Sequence, residues 1–258
     1  MKASQIAAQL YTVRDHLKTP SDIAASMRKV RAAGYHAVQI SGMGPIDDSE
    51  LARILDGEGL VCCATHEGAD DILDEPHEVV AHLDRLNCTY TAYPYPAGID
   101  FASPAAVEDL ARRLNESGSV LREAGKVLAY HNHNIEFRHI GGRPALEIIY
   151  ENTEPENLVS ELDTYWVQAG GASPLDWCAR MKDRAPLLHL KDFGVNEKNE
   201  GVMTEIGSGN IDWKKLVPVA EQSGCEWFIV EQDRNWINGD AFESLKVSYD
   251  YIKANLCG

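Results

Sequence analysis

The chain predicts a single (β/α)8 barrel over residues 1–258, and three observations carry that expectation. Short apolar or β-branched runs alternate with longer segments of helical periodicity, the alternation occurs eight times, and no low-complexity linker interrupts it. The length, 258 residues, suits one such barrel, whose eight units take about 250 residues.

The expected strands are, in order, "QIAAQLY" (5–11), "HAVQIS" (36–41), "LVCCATH" (60–66), "TYTAYP" (89–94), "VLAYHNH" (127–133), "LVSELD" (158–163), "PLLHLK" (186–191) and "WFIVEQ" (227–232). Amphipathic helices lie between them. Pro20 and Ser21 open "PSDIAASMRKVRAAG" and Gly34 closes it; "PAAVEDLARRLNESGSVLREAG" is closed by Gly125. A doubly wound sheet also alternates strand and helix, but it usually carries a glycine-rich turn after its first strand, and here that strand runs into "TVRDHLKTP". The nearest comparable string, "GSGN" at 207–210, follows no good strand.

Composition narrows the function. With 24 basic and 40 acidic residues the formal net charge is −16, which repels a phosphate backbone, so nucleic acid is not an expected partner. No run of eighteen apolar residues occurs, and "MKASQIAAQLYTVRD" lacks the basic start, long apolar stretch and small-residue cleavage site of a signal peptide. The expectation is a soluble, cytoplasmic protein with no membrane partner; a homo-oligomer is compatible with the sequence. Cys62, Cys63, Cys88, Cys178, Cys225 and Cys257 show no metal or redox spacing and mostly sit in apolar segments, which suits reduced packing thiols.

In a barrel of this kind chemistry sits at the C-terminal ends of the strands, and alternation along each strand sorts the side chains that point inward. His131 and His133 share a face in strand five, Glu161 and Asp163 in strand six, His189 and Lys191 in strand seven, Glu231 and Asp233 in strand eight. Ionisable groups brought together in a barrel mouth carry a large desolvation cost unless something pairs them, and a divalent cation does so directly. Mixed imidazole and carboxylate ligands suit manganese first, with zinc, cobalt and iron also compatible and magnesium less favoured. An internal hydrogen-bond network without metal is the competing reading of the same residues.

These residues, together with "QLYTVRD", "GYHAVQISG", "YHNHNIEF", "ELDTYWV", "LHLKDFG", "IGSGNIDW" and "FIVEQD", make the chain resemble the xylose-isomerase-like TIM-barrel superfamily, including tagatose epimerase-like, hydroxypyruvate isomerase-like and inosose dehydratase-like enzymes. The resemblance runs over essentially the whole chain. It implies one divalent metal held by Glu, Asp, His and Glu at the ends of strands five to eight. Asp163, His189 and Glu231 match that pattern in type, whereas the strand-five glutamate position falls on His131. His131 is the expected fourth ligand, with Glu136 or Glu161 as alternative sources of the carboxylate. The departure undercuts a mechanism with two glutamate bases and brings His131 or His133 forward as the base. The family histidine three residues after the strand-six aspartate is here Trp166, a flat apolar wall.

The resemblance implies a metal-dependent isomerase or epimerase of a keto sugar or polyol, in which a base removes the proton next to a carbonyl to give an enediolate. The alternative is a lyase or hydrolase acting by elimination on oxidised (3-keto) glycosides or inososes. Glu231, His131, His133 and Lys191 are the expected catalytic groups, with Lys191 steadying developing negative charge. Glu136, Glu161, Trp166, Arg14 and Tyr93 are expected to contact substrate, and Trp236 to cap the pocket. "GSGN" has backbone N–H groups that suit an anion, but no arginine cluster stands near it in sequence, so the expected substrate is unphosphorylated. A metal-dependent endonuclease on the same fold is disfavoured by the charge of −16, and a non-enzymatic barrel would leave the polar convergence incidental.

Overall fold

The computed structural model describes residues 1–258. Eight parallel strands close into a barrel: β1 (Ile6–Gln9), β2 (Ala37–Ile40), β3 (Val61–His66), β4 (Tyr90–Tyr93), β5 (Val127–His131), β6 (Val159–Asp163), β7 (Leu187–Leu190) and β8 (Trp227–Val230), each paired with its neighbours in chain order and β8 closing on β1. All eight lie within the stretches expected from sequence. Each is shorter than the expected run, and beyond two of them side chains take up backbone N–H groups. After β5, Asn132 uses its side-chain oxygen to accept Asp163 N–H at 2.9 Å. After β7, the Thr164 hydroxyl accepts Lys191 N–H at 3.0 Å. After β1 the chain turns into a 3-10 helix, Leu10–His16.

Small residues fill the lower barrel interior: Ala7, Ala37, Ala64, Ala92 and Ala129 line it together with Leu187 and Ile229. Larger residues on the opposite strand faces pack outward against the helices in the main core. The helix ends follow local chemistry. In α1 (Pro20–Ala33) the Thr19 side chain accepts Asp22 N–H while the Asp22 side chain accepts Thr19 N–H, and Gly34 leaves the helix at φ 117. In the helix Pro104–Glu123 Ser103 caps the start. Two small antiparallel additions escaped the strand pattern: Asp192–Val195 with Gly201–Thr204, and His139–Ile140 with Arg143–Pro144.

The "GSGN" loop does cradle an anion, and the anion is the chain's own. Asp192 accepts N–H from Gly207 (2.8 Å), Gly209 (3.2 Å) and Ile211 (3.3 Å), and the Trp213 indole N–H at 2.8 Å. All six cysteines are free thiols, five of them buried. No helix is long and apolar enough to cross a membrane.

Candidate active site

At the C-terminal end of the barrel, strands β5 to β8 bring His131, Asp163, His189 and Glu231 together, with one donor atom of each within 4.8 Å of the others. Register makes this unavoidable: His131 pairs with Glu161, and Asp163 with His189, on adjacent strands. Asp163 divides its two oxygens. Oδ1 caps the helix Thr164–Ala169 by accepting Trp166 N–H at 2.8 Å, while Oδ2 is buried with no hydrogen bond, 3.9 Å from His131 Nε2 and 3.8 Å from His189 Nδ1. Burial pushes the Asp163 carboxyl up to about 6 against the pull of Lys191 and His189.

A second polar layer lies one step deeper. Glu161 Oε2 is 2.5 Å from His66 Nε2, 3.1 Å from His131 Nδ1 and 3.3 Å from His189 Nε2, and these four residues form a second group able to hold an ion. Gln39 Nε2 donates to Glu161 Oε1 at 2.5 Å. His131 and His189 therefore face both layers, each with one nitrogen up and one down. Burial opposes charge on His189, but Glu161 first and then Glu231 outweigh it and hold the imidazole at about 10. His131 is driven the other way, to about 3, by burial and then by the charge on His189.

Above these layers opens a cavity of about 280 Å³ with two unlike walls. One wall carries imidazoles: His66, His131 and His133, with Tyr95 standing edge-on to His133 at 4.9 Å. His133 is pushed down to about 2 by burial, then by His131 and Lys191, so it is neutral. The other wall carries Lys191, Glu231 and Asp233. The Lys191 ammonium lies 2.9 Å from Glu231 Oε2, 2.9 Å from Asp233 Oδ2 and 3.5 Å from Asp163 Oδ2. Burial opposes its charge, but these carboxylates, Glu231 foremost, hold its pKa above the usual lysine value. Glu231 is held well below the usual carboxylate range because Lys191 and His189 outweigh its burial.

Several expected contacts fall elsewhere. Tyr93 points outward from β4 and stacks on Tyr130 at 5.8 Å in the core, so the tyrosine at the mouth is Tyr95. Glu136 is buried away from the cavity, accepting the Tyr130 hydroxyl at 3.0 Å and His133 N–H at 2.8 Å. Glu161 lies beneath the mouth and lines no part of the cavity. Arg14 bonds the carbonyls of Tyr11 and Asp233 and lies 4.4 Å over the Tyr11 ring, which positions Tyr11 at the rim. Trp236 donates its indole N–H to the Gln232 carbonyl and lies outside the cavity lining. Trp166 is a wall behind the cavity, 5.3 Å from His133 and 5.3 Å below the Lys191 ammonium. Lys191 pairs with neither Glu161 nor Asp192, since the first is tied to imidazoles and the second to the 207–213 loop. His66, Gln39, Tyr11 and Tyr95 are members of the site that sequence reading did not single out, and Asp233, placed on the inward face of strand eight, joins the cavity lining.

The residues fit a divalent ion. Two imidazoles and two carboxylates converge, Asp163 Oδ2 is buried without a hydrogen bond, and three carboxylates (Asp163, Glu231, Asp233) face one lysine.

A parallel eight-stranded barrel gathers this polar cluster at the carboxyl ends of its strands, where barrels of this kind carry their chemistry. Residues 27–253 match the family described as xylose isomerase-like TIM barrel, and the chain belongs to that family. It is 27% identical to the inosose dehydratase of Lacticaseibacillus casei over 166 residues, 58% of this chain and 54% of that protein. It is 25% identical to the inosose dehydratase of Salmonella typhimurium over 191 residues, 67% of this chain and 59% of that protein. The chain thus spans just over half the length of these curated relatives. Among solved structures, a sugar phosphate isomerase/epimerase from Parabacteroides distasonis superposes with a TM-score of 0.85 at 20% identity, covering 99% of this chain and 96% of that one. An L-ribulose 3-epimerase superposes with a TM-score of 0.76 at 16% identity, covering 98% and 94%. At those identities the likeness is one of fold.

Proposed function

We propose that the protein is a divalent-metal-dependent lyase that eliminates a hydroxyl or an alkoxyl group from a keto polyol or keto sugar, starting by removal of the proton next to the carbonyl. The observation that carries this reading is the asymmetry of the cavity. The neutral imidazoles of His131 and His133 stand on one wall, and an ammonium with its carboxylates forms the other. Elimination needs a base that is unprotonated at working pH and, opposite it, a group that donates a proton to the departing oxygen. Epimerisation by two like bases suits paired carboxylates on both faces, and here the strand-five member of such a pair is His131.

His131, Asp163, His189 and Glu231 would hold the ion. When bound, it would supply Lewis-acid polarisation of the substrate carbonyl and an adjacent hydroxyl. The chain's own residues do the rest. His133, a neutral imidazole lining the cavity, accepts the carbon-bound proton. Lys191 also lines the cavity, where its ammonium steadies the developing oxyanion and donates the proton to the leaving oxygen. Trp166 and Tyr95 exclude water around His133. The curated relatives named as inosose dehydratases support the same chemistry.

A second reading, isomerisation or epimerisation of a keto sugar, is supported by Glu231, a carboxylate at the mouth able to shuttle a proton within one enediolate face. The test is proton NMR of the manganese-loaded protein with an inosose, a 3-keto-glycoside and a ketopentose in D₂O. An unsaturated product is the expected result. A saturated epimer or isomer carrying deuterium, with no unsaturated product, would replace the lyase reading with the second.

A further inference from the structure

The chain contains one chemical fact that propagates through several side chains. A carboxylate has no donor, so the amide of Gln39 must turn its nitrogen toward Glu161, and Nε2 does donate to Glu161 Oε1 at 2.5 Å. The Gln39 oxygen then faces the other way. It lies 2.7 Å from His189 Nε2 and 2.8 Å from Gln9 Nε2, and an amide oxygen accepts only, so both of those nitrogens are donors. Gln9 is itself fixed, because its side-chain oxygen accepts Tyr11 N–H at 3.2 Å. His66 joins the same layer by placing Nε2 2.5 Å from Glu161 Oε2 and Nδ1 3.5 Å from Gln9 Nε2. All of Gln9, Gln39, Glu161 and His189 are fully buried, so water does not scramble these roles.

From this network we infer that Gln39, anchored by Glu161, is a positioning residue that locks His189 with its proton on Nε2 and so reserves Nδ1 for a metal ion among Asp163, Glu231 and His131. The inference rests on the metal reading of the proposed function and deepens it by choosing between the two overlapping donor groups. With an ion bound, the upper group would receive the lone pair of His189, whose Nδ1 otherwise faces Glu231 Oε2 at 3.0 Å; the lower one, around Glu161, receives only N–H from that ring. A ligand imidazole commonly donates its second N–H to an acceptor that sets its orientation, and loss of that acceptor costs roughly 10–100-fold in metal affinity. Here the acceptor is a neutral amide held in one orientation by a carboxylate one layer beneath the ligands. Glu161, two residues before the ligand Asp163 on β6, thereby acts on the ion only through Gln39 and the imidazoles.

The experiment is long-range ¹H–¹⁵N correlation on histidine-labelled, zinc-loaded protein, which reads the state of each ring nitrogen, combined with zinc titration of Gln39→Met and Glu161→Gln. The expected result is zinc on His189 Nδ1 and a proton on His189 Nε2 in the unsubstituted protein. Zinc affinity should fall roughly 10–100-fold in Gln39→Met, and fall in Glu161→Gln as well, since an amide at 161 no longer dictates the direction of Gln39. Zinc on His189 Nε2, or retention of zinc by Asp163→Asn with loss in Glu161→Gln, would put the ion in the lower group and overturn the inference while keeping the metal. Absence of zinc or manganese binding to the unsubstituted protein would overturn both. The nitrogen assignment in the unsubstituted protein decides the matter even if a substituted chain fails to fold.

Discussion

Lys191 places its ammonium 2.9 Å from Oε2 of Glu231, and both side chains are buried at the barrel mouth. Removing one member of a buried pair leaves the other charged and unpaired, at a cost of about 3–5 kcal/mol. Lys191→Met strands three carboxylates, Glu231, Asp233 and Asp163. The metal-free variant is expected to lose about 3–5 kcal/mol of stability in denaturant unfolding, and manganese should recover part of it by binding the folded state. An unfolding midpoint equal to that of the unsubstituted protein, with and without manganese, would show that the ammonium is not the resident counter-charge.

Metal stoichiometry follows from the same cluster. Elemental analysis of the manganese-loaded protein is expected to give about one ion per chain, from one complete set of four donors at the mouth. Asp163→Asn and Glu231→Gln each remove a donor. They are expected to weaken binding by more than the roughly 10–100-fold that loss of an outer partner costs. Activity that survives exhaustive chelation would end the metal reading.

The strand pattern carried the fold well because barrel strands are buried on both faces and bounded by helix caps, and both signals are local. It carried Asp163, His189 and Glu231 for a second local reason: alternation places strand-end side chains inward. His66 ends "LVCCATH" and carried the same signal at the end of β3, where it was open to the same reasoning. Gln39 and Gln9 were not legible, since a neutral amide on a strand resembles any polar residue until Glu161 is seen 2.5 Å away across the barrel. Tyr93 follows the alternation, since Ala92 beside it faces the barrel interior, whereas Tyr95, which reaches the mouth, belongs to the loop after β4 and obeys no strand period. Glu136 sits in the 3-10 turn after β5, whose direction only the fold reveals.

Glu136 gives a pH prediction. Burial pushes its carboxyl up to about 7 from the ordinary 4.5, despite hydrogen bonds from His133 N–H and Tyr130 that favour the ionised form. The folded state therefore binds more protons than the unfolded one between those two values. Its contribution to stability is full below about 4.5 and is lost as pH rises through about 7. The shift corresponds to a difference on the order of 3 kcal/mol. Unfolding midpoints measured from pH 4.5 to 8 should fall more steeply for the unsubstituted protein than for Glu136→Gln, whose amide still accepts His133 N–H. Parallel curves would remove Glu136 from the account.

The loop at 207–213 offers a packing test away from the chemistry. A Cβ on Gly209 would stand 2.3 Å from Asp192 Oδ1 and 2.6 Å from the Phe193 carbonyl oxygen, so the loop must open to admit it. Gly209→Ala is expected to destabilise the fold by about 1–3 kcal/mol, the usual range for overpacking. Asp192→Ala, which leaves the cradle N–H groups and the Trp213 indole without their acceptor, should cost at least as much. Thermal unfolding of both variants reads the effect, and a melting temperature unchanged in Gly209→Ala would contradict the close approach.

The two strand-five histidines separate ligation from proton abstraction. His131 has one nitrogen toward Asp163 and the other toward Glu161, whereas His133 faces the cavity with Nδ1 unpartnered and stands edge-on to Tyr95. His131→Glu restores a carboxylate where the family carries one, so it is expected to retain manganese and to keep exchange of the carbon-bound proton next to the carbonyl. His133→Ala should also retain manganese, because its side chain contributes to neither donor group, yet slow that exchange by a factor of about 10²–10⁴, the range for a lost general base. The measurement is deuterium uptake from D₂O at the substrate carbon together with metal content, for each variant separately. Exchange unaffected in His133→Ala, with metal intact, would move the proton-abstracting role to Glu231, the remaining cavity carboxylate at the metal set, and with it favour isomerisation over elimination.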